Sequence, residues 1–144
     1  MSRVRSRDRG SVTVLVIGFA IVLLLAVAVV VDVSAVALAK RAAASAADGA
    51  ATAAAQQVDR AALLQRGLGD GVPLDEVAAQ QAVADYQLDA QQGQPGLALD
   101  AQVDGATATV TAVRRIRLPL VGPLGVDPFV DVTAVSTVRS PVLP

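Results

Sequence analysis

The stretch SVTVLVIGFAIVLLLAVAVVV, from Ser11 to Val31, contains 21 residues without a single charge. At a rise of about 1.5 Å per residue, a helix of this length covers roughly 31 Å, which matches the hydrocarbon core of a bilayer. Fifteen of these residues are Val, Leu, Ile or Phe. Each contributes about −0.3 to −0.6 kcal/mol to insertion near the bilayer centre. We therefore predict one N-terminal transmembrane helix over residues 11–31.

The charges on the two sides of the apolar stretch indicate its orientation. Residues 1–10 contain four arginines, whereas Lys40 and Arg41 follow the stretch only after Asp32 and seven uncharged residues. Lysine and arginine are enriched on the cytoplasmic side of membrane spans. Residues 1–10 are therefore predicted to form a basic cytoplasmic N-terminus. The expected location is the inner (cytoplasmic) membrane, crossed once, with the remaining body of the chain outside the cytoplasm.

Two other fates of the N-terminal segment stay open. Ala37-Leu38-Ala39 has the small-x-small form at which signal peptidase cuts, which would release the rest of the chain. The apolar run is longer, however, than the roughly 7 to 15 residues that signal peptides use. A prepilin-type cut after Gly10 would place Leu15 at the fifth mature position, where prepilins usually carry glutamate. The length of the run favours a retained anchor.

The composition argues against catalysis and against tight metal binding. The chain has no His and no Cys, so imidazole bases, thiol nucleophiles, disulfides and nitrogen or sulfur metal ligands are all missing. Lys40 is the only lysine, and its position beside the predicted span gives it a simpler role in topology. We therefore predict no enzyme activity, no catalytic residue, no cofactor, no metal site and no small-molecule substrate.

Charge and side-chain size favour protein partners over nucleic acid. Residues 1–10 carry four Arg and one Asp, while the rest of the chain has a net charge of −4 and gives no footprint for DNA or RNA. Beyond the span, only Tyr86 and Phe129 supply aromatic bulk. A domain with so thin a core commonly needs support from a partner. The composition thus indicates a subunit of an assembly.

Residues 32–66 are predicted to continue the span as an Ala-rich helical stem. Alanine is the best helix former, and neither a proline nor a pair of glycines interrupts the chain before Gly67. Polar residues at spacings of three and four share one side of this helix. They are Arg41, Ser45, Asp48, Thr52, Gln56 and Asp59.

Small residues are expected to occupy the face opposite the polar stripe, where they would let a second helix approach closely. We predict that they form a helix-packing surface. An acid at the end of the apolar run is costly unless it is hydrated or paired. Asp32 is therefore expected either to be hydrated among the headgroups or to pair with a neighbouring subunit, and we include it in the surface. The predicted surface consists of Asp32, Ala35, Ala39, Ala42, Ala46, Gly49 and Ala53.

Residues 67–96 are predicted to form a turn rich in Gly and Pro, followed by a second short helix. Three glycines and Pro73 break the stem, and Asp75 and Glu76 suit the first turn of a new helix. Gly and Pro end that helix by residue 96.

Residues 97–144 are predicted to form a small β module because the hydrophobic period changes there to two. Leu97 to Val103 alternates, Asp104-Gly105 supplies a two-residue turn, and Ala106 to Ile116 returns as the second strand. After a loop rich in Gly and Pro, Val130 to Val138 alternates again. The expected fold class is α+β, with an antiparallel three-stranded sheet and a pilin-like order of elements.

Several short motifs carry a resemblance to a known family. Arg9-Gly10-Ser11, the apolar helix, Val31-Asp32, Leu38-Ala39-Lys40-Arg41 and the segment AADGAA at 46–51 resemble the N-terminal region of TadG-like proteins of the Flp (tight adherence) pilus apparatus. The resemblance covers about residues 9–57. A TadE-like minor pilin is the related alternative. The chain departs from the family pattern where a glycine interrupts the Ala-rich box, and its body is shorter than the large domain of full-length TadG.

The resemblance implies a membrane-anchored structural or assembly subunit, similar to a minor pilin, of a bacterial Flp/Tad pilus or related secretion apparatus. Its implied partners are the membrane and other pilus or secretion subunits, contacted through the span and the Ala-rich stem. Two other classes stay open: a small binding module, secreted or anchored, and an accessory subunit of an unrelated membrane complex.

We expect the anchor to remain attached to the mature protein, because the apolar run exceeds the length of a cleaved signal. Intact-mass spectrometry of the membrane fraction measures this directly. A mature chain that begins at Lys40 would contradict the prediction, and one that begins at Ser11 would favour the prepilin alternative.

Overall fold

The computed structural model describes residues 9–66, 71–120, 125 and 127–140. The predicted N-terminus up to residue 8, the turn residues 67–70 and the last residues 141–144 lie outside the described residues. The α+β class and the three-stranded antiparallel sheet are confirmed. The elements in chain order are α1 (Arg9–Ala55), α2 (Arg60–Arg66), α3 (Glu76–Gly93), β1 (Leu97–Asp104), β2 (Thr107–Arg117) and β3 (Phe129–Arg139).

Helix α1 contains the apolar stretch and most of the Ala-rich stem in 47 residues without a break. At about 1.5 Å per residue it extends for roughly 70 Å. Hydroxyl groups inside it do not disturb the helix, because Ser34 Oγ donates to Val30 O at 2.7 Å and Thr52 Oγ1 donates to Asp48 O at 2.8 Å. The chain thus passes from the apolar segment to the stem with its backbone hydrogen bonds intact.

The stem ends earlier than the sequence predicts, since α1 stops at Ala55 and a separate helix starts at Arg60. Between them, Val58 forms an isolated antiparallel bridge with Leu74. This bridge draws on backbone groups that a continuous helix would have used itself. A tertiary contact therefore outweighs the helix propensity of the alanines around it.

Aspartates begin both helices that follow. The Asp59 carboxylate accepts from the backbone N–H groups of Ala61 and Ala62, both at 2.9 Å, and so caps α2. Asp75 caps α3 in the same way by accepting from Ala78 N at 3.0 Å. Asp59 belongs to the predicted polar stripe, but its role in the structure is to start a new helix rather than to extend the old one.

The sheet has the order β1-β2-β3, and both neighbouring pairs are antiparallel. Asp104 pairs with Thr107, so the turn residues are Gly105 and Ala106 rather than the predicted Asp104 and Gly105. Gly105 has a φ of +57°, whereas no residue other than glycine has a positive φ among those described. A positive φ at the first turn position alone is the pattern of a type II′ hairpin.

The chain divides into two compact units, of which one comprises Val36–Arg117 and Phe129–Pro144. The core of this unit lies between α1, α3 and one face of the sheet. Its largest fully buried side chains are Leu97 and Val110, and most of the rest are alanines. The buried members are Ala43, Ala46, Ala47, Ala50, Ala51, Ala54, Leu74, Ala79, Val83, Leu97, Ala108, Val110 and Ala112.

The other unit comprises Met1–Ala35 and Leu118–Pro128. In it, Leu118 N donates to Pro128 O at 2.7 Å and closes the base of the loop that leads from β2 to β3. Leu120 N donates to Asp32 Oδ1 at 3.2 Å, which attaches the loop to α1.

Tyr86 on α3 packs directly over Gly49 on α1. A Cβ atom added at Gly49 would lie 2.6 Å from Tyr86 Cζ and closer still to the Tyr86 hydroxyl oxygen. No side chain larger than hydrogen fits at this position unless the ring moves. Gly49 is the weak point of the stem by helix propensity. It is also the position at which Tyr86, the largest side chain of α3, contacts α1.

We expect the effect of Gly49→Ala on stability to depend on Tyr86. Overpacking costs about 1–3 kcal/mol, whereas Ala gains about 1 kcal/mol over Gly inside a helix. The substitution should therefore be neutral or destabilising in the natural chain, and stabilising by about 1 kcal/mol in a Tyr86→Ala background. Chemical denaturation of the four variants in detergent, followed by circular dichroism, gives the coupling. Equal effects in the two backgrounds would show that the ring does not restrict this position.

Candidate functional site

The first half of α1 presents apolar side chains to its surroundings. From Val12 to Val31 every side chain is exposed except that of Ala28, which is partly buried. Phe19 is 63% exposed and Leu24 is 69% exposed. A continuous exposed apolar surface is unusual on a soluble protein and marks contact with a membrane or a partner. Helix α1 is long and apolar enough to cross a membrane.

The second half of α1 turns a row of alanines inward. Ala43, Ala47, Ala50 and Ala54 are completely buried. At about 100° per residue they lie opposite the polar stripe. The predicted helix-packing surface was expected on that face, but it lies about 80° to one side of the buried row. The sequence analysis missed this row. The polar stripe was the signal that could have found it, since the side of an amphipathic helix that faces its core lies opposite the polar side.

The seven residues of the predicted helix-packing surface are not equivalent in the structure. Ala46 lies in the core beside Leu97 and Ala112, and Gly49 lies under Tyr86. These two positions therefore pack within the chain itself. The structure buries Asp32, Ala39 and Ala46, and it leaves Ala35, Ala42, Gly49 and Ala53 partly buried.

Asp32 is buried although it follows directly on the apolar stretch, and only 6% of its surface is exposed. Its Oδ1 atom accepts the hydrogen bond from Leu120 N, whereas its buried Oδ2 atom has no hydrogen-bond partner among the described residues. The sequence suggested hydration or pairing with a neighbouring subunit. In the structure, a backbone amide of the same chain bonds to this carboxylate.

Two glutamines of α3 cover the free edge of β1. Alternate residues of an edge strand point their backbone N–H and C=O groups away from the sheet. Gln87 Oε1 accepts from Leu99 N at 2.6 Å, and Gln91 Nε2 donates to Leu97 O at 2.9 Å. The edge is therefore satisfied at its first residues. Exposed edges pair readily with other chains, so this cover limits unintended association.

A groove of about 520 Å³ lies farther along the same edge, between α3 and β1. Its lining combines polar and apolar side chains, namely Gln80, Val83, Ala84, Gln87, Leu88, Leu99, Asp100 and Ala101. Asp100 is the only ionisable residue in this lining. The described residues contain no group of three or more His, Cys, Asp or Glu side chains that could hold a metal ion.

The outer face of the sheet is rich in threonine and is partly exposed. Thr109 and Thr137 share a hydrogen bond of 3.1 Å between their hydroxyl oxygens. Arg115 lies 3.9 Å from Asp131 and 5.1 Å from the centre of the Phe129 ring. Such exposed pairs contribute little to stability, so the arrangement is that of a solvated sheet face.

These features define a class: a small α+β domain joined to a helix that is long and apolar enough to cross a membrane. Residues 10–57 match the family model Tad, whose description reads "Putative Flp pilus-assembly TadE/G-like". The match supports a role in pilus assembly and confirms the resemblance predicted from the sequence motifs. It coincides closely with α1, Arg9–Ala55. The comparisons with curated proteins and with solved structures found no match.

We expect Gln87→Ala to expose the Leu99 amide to solvent. The substitution removes the acceptor of a hydrogen bond of 2.6 Å, and a lost bond of this kind costs about 0.5–1.5 kcal/mol. Hydrogen exchange at Leu99 should become faster. Gln80→Ala is the matched control, because the Gln80 side chain donates to Glu76 Oε1 on the same helix rather than to the β1 backbone. Equal exchange at Leu99 in the two variants would contradict the role of Gln87 at the strand edge.

Proposed function

We propose that this chain is a membrane-anchored structural or assembly subunit, similar to a minor pilin, of a bacterial Flp/Tad pilus or a related secretion apparatus. One observation carries the proposal: the Tad match at residues 10–57 coincides with a single unbroken helix. The first half of that helix exposes apolar side chains, and its second half packs into the small domain. A subunit that must hold a folded body at a membrane needs this combination.

We further propose that α1 crosses the inner membrane once, with the N-terminus in the cytoplasm and the folded body outside. The four arginines in residues 1–10 support this orientation. Lys40 and Arg41 are both exposed at the far end of the apolar surface, where long basic side chains reach the headgroups. The unbroken helix through Ala39 supports retention of the anchor over release of a secreted module.

Partner subunits are proposed to dock on the part of the helix-packing surface that the chain itself leaves partly uncovered. Ala35, Ala42 and Ala53 are its partly buried alanines. Small side chains allow close approach of two helices. The role is structural, without enzyme activity, nucleic-acid binding or a small-molecule substrate.

The experiment that tests this proposal is crosslinking in native membranes, with identification of the captured proteins. We expect Ala42→Leu together with Ala53→Leu to reduce the recovery of pilus or secretion subunits, because leucine holds a partner helix farther away while preserving helix propensity. Ala46→Leu is unsuitable for this purpose, since Ala46 is only 2% exposed and leucine would overfill the core.

The matched control is Ser45→Leu, which adds similar bulk to the exposed polar stripe. Circular dichroism in detergent should show the same helix content for all variants. Equal recovery of partners from the control and the Ala42→Leu, Ala53→Leu variant would show that this surface is not the contact. Recovery of an unrelated membrane complex in place of pilus or secretion subunits would overturn the proposed function.

A further inference from the structure

The loop between β2 and β3 begins and ends at Leu118 and Pro128, which its closing hydrogen bond joins. Its sequence, LPLVGPLGVDP, contains five Leu or Val residues and one charge, that of Asp127. Surface loops usually rely on polar residues and water to satisfy their backbone. This composition therefore needs an explanation other than simple solvent exposure.

The described backbone at the two ends of this loop has few free donors. Leu118 N donates to Pro128 O, and Leu120 N donates to Asp32 Oδ1. Pro119 and Pro128 have no N–H group at all. A backbone segment can enter an apolar medium only when its polar groups are bonded or missing. The N–H positions of Leu118, Pro119, Leu120 and Pro128 meet this condition for hydrogen-bond donors.

The bond to Asp32 sets the position of the loop along α1. Asp32 is the first ionisable residue after the uncharged stretch that begins at Ser11, so it lies near the outer limit of the hydrocarbon core. The apolar surface does not stop there, since Val33 is 62% exposed. The Leu120 amide is 3.2 Å from Asp32 Oδ1, and its side chain remains 39% exposed.

A carboxylate at this depth is costly if it faces lipid. Leu120 N donates to Asp32 Oδ1, so Asp32 supplies the acceptor that the Leu120 amide would lack in an apolar environment. The bond in turn offsets part of the cost of the Asp32 carboxylate, whose buried Oδ2 atom has no hydrogen-bond partner among the described residues. In water, both groups could bond to solvent instead.

We propose that the Leu118–Leu120 segment is a second membrane contact. Asp32 holds this segment at the outer lipid interface, and the Leu120 side chain is directed at the lipid. Its partner is the bilayer itself, at the boundary between headgroups and acyl chains. The inference rests on the proposed membrane anchoring by α1, and it adds that the β2–β3 loop also touches the lipid. A protein partner on this segment is the rival outcome.

Lipid contact can be measured with a fluorescent probe on single cysteines, because the natural chain contains no Cys. Full-length Leu120→Cys is labelled with an environment-sensitive dye and reconstituted into vesicles of phosphatidylcholine and phosphatidylglycerol that contain spin-labelled lipid. Phe19→Cys reports on the anchor. Leu64→Cys is the aqueous control, since Leu64 lies on α2, beyond the end of α1, and is 88% exposed.

We expect the spin-labelled lipid to quench the dye at 120 and at 19 but not at 64. Quenching at 19 together with a signal at 120 equal to that at 64 would overturn the lipid contact and leave the anchor intact. This is the result that a protein-binding segment would give in pure lipid vesicles. Absence of quenching at 19 would overturn both the proposed anchoring and this inference.

The docking role of Asp32 is tested in the same vesicles. Asp32→Ala removes the acceptor of the Leu120 amide, so the ratio of docked to undocked loop should fall about two- to tenfold, as for one lost hydrogen bond. Asp32→Asn retains an acceptor oxygen and should preserve the quenching at 120. Quenching at 19 should stay constant in both variants. Unchanged quenching at 120 in Asp32→Ala, or an equal loss in both variants, would overturn the docking by this hydrogen bond.

Discussion

The packing of alanines on α1 against α3 and the sheet is the contact on which the small α+β domain depends. Ala43, Ala47 and Ala50 are fully buried, and none of them projects farther than a methyl group. One methyl-sized group contributes only about 0.8 kcal/mol of burial, so the core gains stability from close approach along a whole row rather than from single large residues. Leu97 and Val110 then fill the space that the alanines leave. A larger side chain in this row would hold α1 away from α3 and the sheet.

A second constraint is that backbone groups must be satisfied wherever water is excluded or a strand edge is open. Side chains from distant parts of the sequence meet this need. Gln87 and Gln91 bond the edge of β1, and Asp32 bonds the Leu120 amide 88 residues away. These contacts tie elements together more specifically than apolar burial can, because each one has a single donor and a single acceptor.

The agreement between the Tad match and α1 suggests how the molecule divides its tasks. The match ends at residue 57, just after α1 ends at Ala55. In the proposed function, the helix is therefore the part that the family shares for anchoring and packing. The α3 helix and the sheet, together with the groove beside β1, lie beyond the match.

The sequence by itself determined the apolar helix, the second helix and the three strands, because long runs of one period leave little choice of local structure. It also carried the Tad resemblance. Only the tertiary structure decided where the stem ends, since the bridge of Val58 with Leu74 joins segments on either side of α2. It also decided which alanines are buried and which backbone amide bonds to Asp32. Small residues look alike on every side of a helix, and only the position of the sheet, α3 and the loop selects the sides that are covered.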